Sequence, residues 1–294
     1  METRFGVVGT AHWATAVHTV GLQRTPGVRL VGVWGRDPEK ANGLAAARDV
    51  TAFVRFEDML DAVDAVSFAV PPQIQEGLAL KALAAGKHVL LEKPIATNSR
   101  AAAALVEAAD RAGLATIVFF MRRFVPEIAD FLARHAAGAW RAGEVEVRSA
   151  TFAPDSPYRN SAWRQAAGSE IWDVGPHVLS ILVPMLGPIS VARALAAEGN
   201  FSRFETEHAD GGRAHVRITQ RAEPNDISNI YRFQGPSGEV VVPEPELDRP
   251  ANFVRAASAL VARIRDPKCA HPCDVKLGAA TVRALEQVQP WRAA

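Results

Sequence analysis

Along the first 121 residues, short apolar runs alternate with longer stretches whose apolar positions recur at helical spacing. FGVVG (5–9) predicts a strand, 13–25 a helix, VRLVGVW (28–34) a strand, and 37–48 an alanine-rich helix. Asp37 and Pro38 open that helix, an N-cap acceptor followed by a residue pre-set for the first turn. A short strand at 51–54 and a helix at 56–62 follow, then the strand AVSFAV (65–70) and a helix over 73–85 that Gly86 ends. HVLL (88–91), a helix over 98–112 ended by Gly113, and ATIVFF (115–120) complete the series. Repeated strand–helix units predict a parallel sheet covered on both faces.

Beyond residue 121 the rhythm changes. A helix near 125–137 leads into EVEVRSATF (144–152), which alternates like a strand with one wet face, as do 189–197, 213–221, 227–234 and 238–242. This pattern predicts an antiparallel sheet. Helices over 250–265 and 274–288 follow the proline-rich VPEPELDRP (242–250). The expected class is α/β: a doubly wound parallel sheet in residues 1–121, then an α/β domain with an open, mainly antiparallel sheet in 122–294.

Composition narrows the function. A chain of 294 residues, 48% hydrophobic and 22% charged, has ample apolar material for two ordinary globular domains. Lys plus Arg number 33 against 32 Asp plus Glu, and residues 1–121 carry 12 of each sign. No polybasic face is expected, so nucleic acid is not an expected partner. The longest apolar run, near VLSILVPMLG (178–187), is too short for a membrane span of roughly 20 residues. METRFGVVG enters a strand without an apolar signal region, so a cytoplasmic location is expected. The two cysteines lie in CAHPC (269–273), where a disulfide, a metal fragment with His271 and two plain thiols are the alternatives. No second ligand pair stands at matching spacing, and a reducing compartment favours the thiols, so no metal is expected.

The first chemical feature is GTAHWA (9–14), between the first strand and the first helix. In a dinucleotide loop the first glycine makes the tight turn, the second admits the pyrophosphate, and the third lets helix and strand pack. Gly9 keeps the first position, Ala14 is tolerated at the third, and Ala11 puts a methyl group at the second. The N–H groups of Thr10, Ala11, His12 and Trp13 stand where a helix N-terminus suits an anion. The second strand ends on Trp34-Gly35-Arg36, where an acidic residue would select NAD and an arginine accommodates the 2′-phosphate of NADP. Arg36, with Lys40 a turn later, favours NADP; the competing reading is a solvated arginine balanced by Asp37.

The second feature is HVLLEKPIATN (88–98), in which a buried strand runs into Glu92-Lys93-Pro94. Taken in order, GTAHWA, AVPPQIQ (69–75), AAGKHVLLEKPIA (84–96), WR (163–164) and GSEIWDVGPHVLSILVPMLG (168–187) resemble the Gfo/Idh/MocA oxidoreductases. The resemblance spans nearly the whole chain, and AGKH followed by EKP is its most specific part. It implies a Rossmann domain, a C-terminal α/β domain whose sheet pairs subunits into a homodimer or homotetramer, and a nicotinamide cofactor. It also implies that Lys93, Asp173 and His177 are catalytic.

The residue chemistry fits that implication. An imidazole such as that of His177 is the side chain suited to proton transfer in both directions, and Lys93 suits a developing negative charge on oxygen. Asp173, four residues before His177, shares its helical face, although Pro176 requires the helix either to begin or to bend nearby. Val70, Pro71, Pro72, Gln75 and Glu92 join the expected cofactor contacts, with Gln75 where many members carry histidine. Trp163 and Arg164 leave two readings open, packing or a contact to cofactor amide or substrate. Of Arg122 and Arg123, one is expected to bind substrate. The expected activity is hydride transfer between nicotinamide and a hydroxyl or carbonyl carbon of a sugar, polyol or similar small polar molecule. The alternative is a nucleotide-binding sensor of the same fold, which Ala11 favours weakly and the retained Lys93 and His177 oppose.

Overall fold

The computed structural model describes residues 2–136, 138–166 and 168–291. They divide into two compact units, Met1–Phe124 with Leu247–Ala279, and Val125–Glu246 with Ala280–Ala294. No described helix is long and apolar enough to cross a membrane.

In the first unit β1 (Thr3–Val8) is followed by a π-turn (Ala14–His18) that continues into α1 (Thr19–Arg24). Then come β2 (Val28–Trp34), α2 (Pro38–Arg48), β3 (Thr51–Ala52), α3 (Phe56–Ala62), β4 (Ala65–Phe68), α4 (Pro72–Ala84), β5 (His88–Leu91), α5 (Ser99–Ala112) and β6 (Thr116–Val118). The six strands pair in parallel in the order β3-β2-β1-β4-β5-β6, which reverses direction between β1 and β4. A parallel sheet is buried on both faces, which explains why β4 is buried at every position. ATIVFF is strand only over Thr116–Val118; Phe119 and Phe120 then lead into a 3-10 turn, Met121–Phe124.

The second unit contains α6 (Pro126–His135), β7 (Ala142–Arg148), α7 (Ala162–Gln165) and the long α8 (Ser169–Leu186). Its remaining strands are β8 (Ile189–Glu198), β9 (Phe201–His208), β10 (Arg213–Thr219), β11 (Ser228–Gly235) and β12 (Gly238–Val241). Their order is β12-β11-β7-β10-β9-β8, and all neighbours are antiparallel except β7 and β10. Sequence periodicity missed β9. The Gly199-Asn200 pair between Glu198 and Phe201, with Gly199 at φ 57°, is the hairpin signal that marks it. On the wet face, register places opposite charges side by side: Arg217 opposes Glu146 at 3.3 Å, and Arg213 opposes Glu207 at 3.4 Å.

Residues 247–279 return to the first unit, and with them α9 (Arg249–Arg265) and the start of α10 (Val275–Val288). A Cβ at Gly21 of α1 would come within 2.5 Å of the Phe253 ring, so the two helices approach as closely as a glycine allows. Cys269 is exposed and Cys273 buried, both as free thiols, and burial pushes the Cys273 thiol up to about 11. The Cys273 carbonyl accepts from Val118 N–H at 2.8 Å, so CAHPC is stitched to β6. Among the described residues no cluster of three or more His, Cys, Asp or Glu is arranged to hold a metal.

Candidate active site

Gly9 sits at φ 122°, and a Cβ there would meet the Ala69 carbonyl at 2.5 Å and Val70 Cγ1 at 3.2 Å. Its N–H donates to the Trp34 carbonyl at 2.9 Å, while a Cβ on Gly35 would lie 2.7 Å from Thr10 Cγ2. The loop therefore nestles between the carboxyl ends of β2 and β4, at the point where strand order reverses. That is where open α/β sheets bind ligands. Ala11 and His12 are exposed, Thr10 and Trp13 half-buried. A dinucleotide pyrophosphate fits this cradle: only glycine can occupy position 9, and the first helical N–H groups suit an anion. Arg36 stands exposed past β2, and no ion pair involves it among the described residues. Lys40 instead pairs with Asp37 at 3.1 Å, at the surface.

The Glu92-Lys93-Pro94 turn leaves the carboxyl end of β5, with a cis bond between Lys93 and Pro94. Gln75, on the first turn of α4 behind Pro71 and Pro72, is wholly buried and serves that turn's backbone. Its Nε2 donates to the carbonyls of Glu92 at 2.8 Å and Pro94 at 3.2 Å, and its Oε1 accepts from Glu92 N–H at 2.8 Å. The Glu92 carboxylate is also nearly buried. Oε1 accepts from Trp13 Nε1 at 2.6 Å and lies 3.2 Å from His18 Nε2, while Oε2 accepts from Lys93 N–H at 3.2 Å. Trp13, Gln75, Glu92 and Lys93 thus form one constellation, half-buried at Lys93. Arg122 is buried in the 3-10 turn after β6.

In the second unit, α8 runs from Ser169 through both Pro176 and Pro184. It begins well before Pro176, so Asp173 and His177 lie one turn apart on a formed helix. Pro176 supplies no N–H for the Trp172 carbonyl. Asp173 is 7% exposed, and its charge is met from two directions. Arg164 clamps it through Nε at 2.8 Å and Nη2 at 3.3 Å, and Gln220 Nε2 donates to Oδ2 at 2.7 Å. The Arg164 guanidinium lies over the rings of Tyr158 and Trp163, 4.6 and 4.4 Å from their centroids, and Trp163 stacks on Trp291 at 5.8 Å. Arg164 thus holds the Asp173 carboxylate, and Trp163 packs against its guanidinium. His177 is half-buried, and its carbonyl accepts from Ser180 Oγ at 2.7 Å.

Sequence reasoning missed His18, Ser67 and Gln220. Two signals were available: a histidine inside the apolar run TAVHTV, and a glutamine directly after the alternating strand residues HVRIT.

The fold and the Gly9 loop define a Rossmann dinucleotide-binding unit joined to a mixed α/β unit. Residues 3–120 match the family model GFO_IDH_MocA, an oxidoreductase family with an NAD-binding Rossmann fold, in agreement with the resemblance carried by the motifs. An uncharacterized oxidoreductase of Synechocystis sp. is 30% identical over 231 residues, 76% of this chain and 57% of that protein. An inositol 2-dehydrogenase of Corynebacterium glutamicum is 40% identical over 131 residues, 42% of this chain and 38% of that protein. The alignments thus span less than two thirds of either relative. Among solved structures, GenD2 from gentamicin A biosynthesis, in complex with NAD, shares the fold with a TM-score of 0.81 at 22% identity, covering 98% of this chain and 93% of that one.

Proposed function

We propose that the protein is an NAD(P)-dependent oxidoreductase acting on a hydroxyl or carbonyl carbon of a sugar, polyol or related small polar molecule. The observation that carries this reading is the built turn after β5, where Gln75 and Glu92 fix the backbone that presents Lys93 in a unit whose Gly9 loop suits a dinucleotide. The inositol 2-dehydrogenase among the relatives supports a polyol-like substrate class.

When bound, the nicotinamide supplies the hydride donor or acceptor. The chain's own residues supply the rest. Lys93 hydrogen-bonds the reacting oxygen and stabilises the negative charge that develops there. His177 takes the hydroxyl proton in oxidation and returns it in reduction. Asp173, clamped by Arg164 and Gln220, orients the substrate or the His177 ring. Arg36 supports NADP over NAD, because an exposed guanidinium past β2 accommodates a 2′-phosphate and no acidic side chain ends that strand.

Titration with NADPH and NADH, followed by nicotinamide fluorescence, and then a panel of sugars, polyols and their ketones tests binding and turnover together. Turnover with a panel member is the expected result. Binding without turnover would replace the enzyme with a sensor, and absence of binding would end both readings.

A further inference from the structure

One polar residue on the buried face of the first helix has no part in the chemistry above. His18 closes the π-turn and is wholly buried, with its ring 4.3 Å from that of Phe253 and edge-on to Phe119 at 6.3 Å. In this apolar setting Nδ1 lies 2.9 Å from Ser67 Oγ and Nε2 lies 3.2 Å from Glu92 Oε1. Serine, histidine and carboxylate in that order have the connectivity of a nucleophilic triad. Ser67, however, is wholly buried inside β4, where no substrate carbonyl can reach it, so the row does not serve attack.

Its terminus is Glu92. A carboxylate taken out of water is costly unless hydrogen bonds replace the lost hydration. Trp13 and His18 both hold Oε1, which leaves Oε2 to receive the Lys93 N–H. An ionised carboxylate only accepts, so the bond to Oε1 takes its proton from His18 Nε2, while the Ser67 hydroxyl, which can donate or accept, partners Nδ1. Strand β4, the π-turn and the lysine turn are thereby tied into one chain of hydrogen bonds. Rare π-turns recur at functional sites, and this one ends on the residue that makes the link.

We propose that His18 is a positioning residue for Lys93, acting through the Glu92 carboxylate. The inference rests on the reading that Lys93 touches the reacting oxygen. His18→Leu removes the donor while keeping the apolar pocket filled, and His18→Gln restores a side-chain donor if the pocket tolerates no aliphatic residue. Amide exchange at Lys93 should accelerate at least about tenfold in His18→Leu relative to Val89 and Leu90. In the same variant kcat should fall at least about tenfold, with KM and nucleotide Kd held within about threefold. His18→Gln should recover most of both effects. In a Glu92→Gln background, adding His18→Leu should change kcat by less than about twofold, because the route through the carboxylate is already gone.

Unchanged exchange at Lys93, or acceleration spread evenly along β5, overturns the proposal whatever the activity. A wild type that never turns over a nicotinamide nucleotide overturns the oxidoreductase reading instead, and the exchange comparison still decides whether His18 holds the turn.

Discussion

Gln75 and Glu92 lock together through a reciprocal pair of hydrogen bonds, the Gln75 amide donating to the Glu92 carbonyl and accepting from the Glu92 N–H, each at 2.8 Å. A side chain here does what a neighbouring strand would do, satisfying backbone groups that the sharp turn would leave orphaned in the interior. Gln75→Leu keeps the volume and removes both partners, so the buried N–H and carbonyls lose their bonds at a cost of about 2–4 kcal/mol. Urea unfolding measures this, and a loss below about 1 kcal/mol would show that the turn holds without Gln75.

Arg164 and Gln220 converge on one oxygen of Asp173 from separate elements. Removing either leaves the nearly buried carboxylate under-compensated. Arg164→Met and Gln220→Leu are each expected to lower kcat/KM at least about tenfold. Steady-state kinetics with an active substrate decides it; full activity in both would separate Asp173 from the chemistry.

For Lys93 and His177 the expectation is sharper. Each alanine variant should bind NAD(P)H within about threefold of wild type yet lose at least about 100-fold in kcat. Stopped-flow absorbance of the reduced nicotinamide gives the rate of the chemical step, and unchanged rates in both variants would refute the assigned roles.

Arg36 has no ion pair among the described residues, so removing its charge should leave the fold untouched and act on cofactor choice. Arg36→Ala should weaken NADPH by about tenfold or more and NADH by less than about twofold. Equal losses would end the case for NADP.

His271 makes stability depend on pH. Burial first, then the charges of Arg123 and Arg263, push its imidazole down from 6.5 to about 4, while Asp274 opposes them. The unfolded chain takes up this proton near pH 6.5, whereas the folded protein resists it until about pH 4. The linked stability is therefore complete above pH 6.5 and is lost as pH falls toward 4, by about 1–2 kcal/mol once solvent screening of a partly exposed ring is allowed for. His271→Gln should show a smaller drop in urea midpoint between pH 7 and pH 4.5 than wild type. Identical drops would trace the acid sensitivity to other groups.

What the sequence determined by itself was whatever local periodicity and local chemistry encode. The β-α repeat to residue 121, the Asp37-Pro38 start of α2 and the Gly113 end of α5 were legible because each depends on neighbours a few residues away. The Gly9 loop and the Glu92-Lys93-Pro94 turn were legible as short motifs at the ends of predicted strands. Only tertiary structure decided what those motifs touch. The Gln75 side chain serves the backbone of a turn 17 residues away, Gln220 reaches Asp173 across 47, and His18 meets Glu92 across 74. Nor does periodicity show that 247–279 fold back onto the first unit, since an amphipathic helix declares an apolar face but not the surface that covers it. Pairings of that kind are set by strand order and burial, which bring together residues that sequence spacing keeps apart.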